Sequence, residues 1–142
     1  MVELKRLHRG SLEPALDRAE RYRLLNEPTE AESICRDVLE VDAGNQRAIR
    51  ALILSLTDQF GRELGDRVRQ AHELLERLED EYERAYHQGI VHERHAKAQL
   101  KGHAVCSGPA IHDRLQLAMQ CYEQAERLRP EGNDEALLRW NA

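Results

Sequence analysis

Aromatic residues are nearly missing from this chain: one Phe, one Trp and four Tyr make up 4% of its 142 residues, against 33% charged residues. A β-sandwich fills its pleated faces with aromatic and β-branched side chains, so this balance argues for helices with large polar surfaces. Cysteine is scarce and odd in number, and Cys35, Cys106 and Cys121 have no paired spacing. That excludes a disulfide framework and fits a reducing, cytoplasmic setting. No apolar run is long enough for a signal peptide or a membrane span. Charge of one sign never gathers into a block in the body of the chain, and the net charge is −5, which argues against a nucleic-acid footprint. The basic cluster Lys5, Arg6 and Arg9 reads as a solvated N-terminal tail over residues 1–10.

What is present is a pattern of small residues at helical spacing. Ala31, Cys35 and Val38, then Ala71, Leu75 and Leu78, then Ala118, Tyr122 and Ala125 repeat one arrangement: a small residue with further small or apolar residues four and seven positions on. A small residue lets a neighbouring helix approach closely, and a repeated unit of this kind points to stacked helical hairpins. Glu and Arg, both good helix formers, dominate the charged set. The length fits a single domain.

Punctuation by Gly, Pro and Asn divides the chain. Ser11 is placed to cap a first helix that reaches about Leu25, and Pro28 opens a second that reaches about Val41. Asn45 caps a third, the most apolar, which reaches Phe60, and Asp66 caps a fourth. From Asp66 to Lys101 only Gly89 interrupts the pattern. An unbroken helix there would be about 54 Å long, out of scale with its neighbours, so a tight turn is expected near Leu78 to Glu81. Lys101 to Pro109 reads as a loop, Pro109 opens another helix to Leu128, and Asn133 caps a last one. The expected hairpins are 11–44, 45–80 and 81–130, with the start of a further helix over 131–142. The pattern stops at Ala142 with an apolar stripe still lacking its partner helix, as in a shortened chain or a terminus that docks on another chain.

Ala19 with Tyr22 on a first helix, Ala31, Cys35 and Val38 on a second, and Ala118, Tyr122, Ala125 and Pro130 near the end together resemble the tetratricopeptide repeat (TPR) family. Gly89 stands where the small residue of an intervening first helix belongs, with His92 in place of the family aromatic. The resemblance covers residues 11–142 and implies an all-α fold of antiparallel helical hairpins stacked as a right-handed superhelix, an α-solenoid. Spacings of 40 and 47 between the three alanines exceed the 34 of the family, so the repeats are irregular.

The resemblance further implies a concave groove lined by the first helices. It would carry Leu16, Glu20 and Arg23, then Arg47, Arg50 and Leu54, then Tyr86, Ile90 and Arg94. Arginines among apolar positions would suit a peptide bearing carboxylates. Leu16 and Glu20 stand where the chaperone-binding members of the family have the Lys and Asn of their clamp, which disfavours chaperone tails. For any one of these arginines, solvation or a salt bridge is the commoner state. The expected function is a non-enzymatic scaffold for a protein or peptide partner, without cofactor, nucleic acid or membrane.

Two alternatives come from other features. Leu137 and Trp140 on the last helix offer an apolar edge through which two copies could pair. His92 and His95, one turn apart, could share a metal with His103 and Cys106, making the region from His87 to His103 a metal site. The spacing is not HExxH, and a packing role for His92 with His95 on a wet face is simpler. Cys106 beside His103 lacks a third group to orient a base, so a thiol nucleophile is disfavoured. Glu32 with Arg36, and Glu73 with Arg77, read as surface pairs one turn apart.

Overall fold

The structure is a computed structural model that describes residues 5–102 and 108–142. Among the described residues it holds seven α-helices and no strand: α1 (Leu12–Leu24), α2 (Pro28–Val41), α3 (Gln46–Thr57), α4 (Leu64–Leu75), α5 (Glu81–Lys101), α6 (Gly108–Leu128) and α7 (Glu135–Asn141). No helix among them is long and apolar enough to cross a membrane. Each helix packs on the next one described, and α1 also touches α3, as α3 touches α5. The broadest of these interfaces joins α5 and α6.

The small-residue pattern faces inward throughout. All nine residues of the three repeated triplets are buried, with Ala31, Ala71, Cys35, Val38 and Ala125 fully enclosed. One cluster runs from Leu12 on α1 through Leu52 and Leu56 on α3 to Leu75 and Leu78, reaching Val91 on α5. Smaller clusters continue it, one around Ile90, Ala118 and Tyr122 and another around Tyr82, Ala85, Ala125 and Ala136. Burying alanines rather than leucines brings helix axes close, and dispersion accumulates along the full contact.

The connections bear out some sequence expectations and correct others. The region from Asp66 to Lys101 is two helices, with the break at residues 76–80 where the turn is expected. Asp80 caps α5 by accepting from Tyr82 N at 2.9 Å, and Arg84 donates to Leu78 O at 2.6 Å, closing the turn. Asn45 caps α3 as expected, accepting from Ala48 N at 2.9 Å. Ser11 and Asp66 do not cap with their side chains. Helix α4 begins earlier, after Glu63 in the left-handed region at φ 47°. That start packs Leu64 against the core, and apolar burial of this size outweighs a cap worth about 1 kcal/mol. Phe60 lies beyond the end of α3, buried in the following turn. Asp134 stands at the N-cap of α7, while Asn133 accepts from Glu135 N at 3.1 Å.

The N-terminal basic residues are more than a solvated tail. Arg6 donates to Glu40 O at 2.9 Å and Arg9 to Val41 O at 3.4 Å. Helix α2 has no basic residue in its own last turn. These two guanidinium groups therefore supply the positive charge and the donors that its terminal carbonyls need. The Glu32–Arg36 pair forms at 2.9 Å, but Glu73 pairs with Arg69 at 3.2 Å, while Arg77 donates instead to Ala43 O.

Candidate functional site

A hollow of about 410 Å³ opens where α1, α3, α5 and α7 converge. Of the nine expected groove residues, seven line it: Glu20 and Arg23 from α1, Arg47, Arg50 and Leu54 from α3, and Tyr86 and Ile90 from α5. Helical periodicity places Tyr86 and Ile90 one turn apart, and both pack with Leu54 into one apolar cluster that floors the hollow.

Two expected residues stand elsewhere. Leu16 is 0% exposed and belongs to the core. The buried stripe of α1 is Leu12, Leu16 and Ala19, so Leu16 shares the face that packs on α2 and α3 while Glu20 flanks it. Arg94 lines a neighbouring hollow with Thr57, Asp58 and Lys97. Its guanidinium pairs with Asp58 and donates to Thr57 Oγ1 at 3.2 Å.

The arginines of the hollow are mostly engaged within the chain. Arg23 Nε donates to Asp58 Oδ2 at 2.7 Å. Arg47 pairs with three carboxylates of α1: Glu13 at 2.6 Å, Asp17 at 2.6 Å and Glu20 at 3.0 Å. Those bonds raise the Arg47 pKa still further, Asp17 contributing most. Among the described residues Arg50 has neither an ion pair nor a hydrogen bond. The hollow thus keeps four arginines in its lining, three of them in the salt-bridged state expected for any one of them.

The hollow also contains residues that the sequence reading did not assign to it, namely Ala51, Glu83, His87, Glu135 and Arg139. Spacing could have found Glu83 and His87, which sit one turn apart beside Tyr86 and Ile90. Nothing in the sequence shows that Glu135 and Arg139 of α7 fold back to the same place. Arg139 donates to Tyr86 Oη and to Glu93 Oε2, both at 3.4 Å, and Tyr122 donates to Glu93 Oε1 at 3.0 Å. Glu93 thereby ties α5, α6 and α7 together.

His87 is 5% exposed. Its Nδ1 lies 2.8 Å from Glu83 O, so Nδ1 carries the proton and donates, leaving Nε2 as a bare acceptor. Burial lowers its pKa to about 4, helped by the fields of Arg50 and Arg139, and the ring is neutral near pH 7. Burial likewise raises the carboxyl of Glu83, with Asp80 and Glu135 adding to the rise and Arg50 opposing it. The lining holds no Ser, Thr or Cys. Its chemistry is that of charged and hydrogen-bonding groups around an apolar floor.

Of the four residues expected as a possible ligand set, His92 and His95 fall among the described residues. His92 packs against His72 of α4 with ring centroids 5.6 Å apart. Nδ1 of His92 and of His95 is buried without a hydrogen-bond partner among the described residues, although both side chains are partly exposed. No group of three or more His, Cys, Asp or Glu among the described residues is placed to hold a metal. His103 and Cys106 lie outside the described residues. Cys35 is buried and its thiol is pushed up to about 12, which removes thiolate reactivity. On α7, Leu137 is half-buried, whereas Leu138 is 66% exposed and Trp140 is exposed beside it.

Compared with known families, curated proteins and solved structures, the chain matches none of them.

Proposed function

We propose that this chain is a non-enzymatic, TPR-like scaffold that binds a segment of a partner protein in the hollow formed by α1, α3, α5 and α7. The observation that carries the reading is convergence: seven residues chosen for a concave groove, from three separate helices, line a single hollow with an apolar floor. The contacts of α1 with α3 and of α3 with α5 support a stack in which first helices form one side, as in a right-handed superhelix. A preformed hollow spends little entropy on binding, because the ion pairs of Arg23, Arg47 and Arg139 already fix the wall side chains.

The test is selection of binders from a random linear-peptide library on the immobilised full chain, followed by hydrogen exchange of the chain with a selected peptide. Protection centred on α3 and α5, lost together with binding in Tyr86→Ala, is the expected result. Failure to enrich any peptide, or protection confined to other faces, rejects the reading.

A further inference from the structure

Resting on the scaffold reading, the charge arrangement of the hollow identifies the kind of segment it takes. Four arginines and three glutamates line the hollow, and carboxylates come to outnumber the arginines once those paired to them are counted. Glu20, Glu83 and Glu135 are in the lining itself. The lining arginines hold four more on their outer sides, namely Glu13 and Asp17 on Arg47, Asp58 on Arg23 and Glu93 on Arg139. Asp58 also serves Arg94, and Glu93 also serves Lys97, so some of that excess is neutralised from behind. Of these seven carboxylates, Glu83 and Glu135 have no Lys or Arg partner within 4 Å among the described residues, and Glu135 is near enough to Glu83 to act on its charge.

A second observation points the same way. His87, almost wholly buried, lines the hollow beside Glu83 and has its proton committed to Glu83 O. Its Nε2 makes no hydrogen bond among the described residues, although it is not sealed from solvent. An acceptor nitrogen beside Glu83, whose Oε2 lies 3.4 Å from Nδ1 of that same neutral ring, is complementary to a group rich in N–H donors. Tyr86, in the same lining, adds an aromatic face to which a cation is attracted.

We propose that the hollow receives a basic side chain, Lys or Arg, of the partner segment. Its cationic head lies between Glu83 and Glu135 within reach of His87 Nε2, and its aliphatic stem lies on Tyr86, Ile90 and Leu54. Arg50, whose field reaches both Glu83 and His87, competes with that head for Glu83, so its removal favours the bound cation.

The peptide selection above, read by composition, tests this. Enrichment of Lys or Arg at one position is expected. For the best peptide, calorimetric titration should show affinity falling at least tenfold when that residue becomes Gln, and at least tenfold in Glu83→Gln of the chain. Raising salt should weaken binding, and Arg50→Gln should leave it equal or tighter. Among the described residues Glu83 pairs with no Lys or Arg, so Glu83→Gln is expected to keep the wild-type melting temperature, which separates lost contact from lost fold. Peptides enriched in Asp or Glu that lose affinity in Arg50→Gln overturn the inference and leave the scaffold reading standing. An empty selection, or binders indifferent to Tyr86→Ala, overturns both.

Discussion

Gly89 lacks a side chain because there is no room for one. A Cβ built there would lie 2.5 Å from Cε1 and 2.7 Å from Cδ1 of Tyr122. That ring is 2% exposed and its hydroxyl is held by Glu93, so it has nowhere to move. The sequence raises the question, since a mid-helix glycine costs about 1 kcal/mol relative to alanine. Only the packing of α5 on α6 answers it. Gly89→Ala should therefore destabilise the protein by about 1–3 kcal/mol despite its better helix propensity. Gly65, also helical, has nothing within 4 Å of its Cβ position, so Gly65→Ala should stabilise by up to ~1 kcal/mol. Urea unfolding of both variants measures the contrast; equal and favourable shifts would remove the close-packing account.

Between elements, single carboxylates join several helices. Asp58, at the end of α3, takes Arg23 from α1 and Arg94 from α5, and is 19% exposed. Glu32 on α2 takes Arg36, Arg67 of α4 and Gln59. Sequence spacing finds Glu32–Arg36 because its partners are one turn apart, but it cannot find Arg23–Asp58, separated by 35 residues. Removing Asp58 strands two partly buried guanidinium groups at once. Asp58→Ala is expected to cost about 1–3 kcal/mol, whereas Glu73→Ala, losing an exposed pair on α4, should cost less than about 1 kcal/mol. Thermal melts at low and moderate salt check this, and equal costs for the two variants would refute the joining role.

Across the whole molecule, histidines make stability depend on pH. His72, His87, His92 and His95 are all lowered, first by burial, and the latter three to about 4. Arg114 of α6 faces His72, His92 and His95, adding to the lowering. These rings stay neutral in the fold while the unfolded chain takes up protons below about 6.5, so unfolding binds protons. Stability is thus full above about pH 6.5 and is lost as pH falls from there toward about 4. For His87 alone the loss between pH 6.5 and 5 is about 2 kcal/mol. His92 and His95 contribute less than their lowering implies, since both are partly exposed and screened by water. The melting temperature should fall steadily over that window, and less steeply in His87→Gln; a flat profile would contradict the burial of these rings.

By itself the sequence determined the helices, their order and most of the faces they bury, because helix propensity and the spacing of small residues act over one or two turns; the start of α4 and the burial of Leu16 it did not. Ala31, Ala71 and Ala118 could be assigned to the interior from that spacing alone, and the break near Asp80 from helix length. What the tertiary structure decided is electrical. Whether Arg23, Arg47 or Arg94 faces a ligand or a carboxylate of its own chain depends on partners up to 36 residues away. It also placed Glu135 and Arg139 at the hollow, through the burial of Ala136 against α5 and α6. Local chemistry fixes which side of a helix is apolar; only the packing of distant segments fixes which charges remain unpaired.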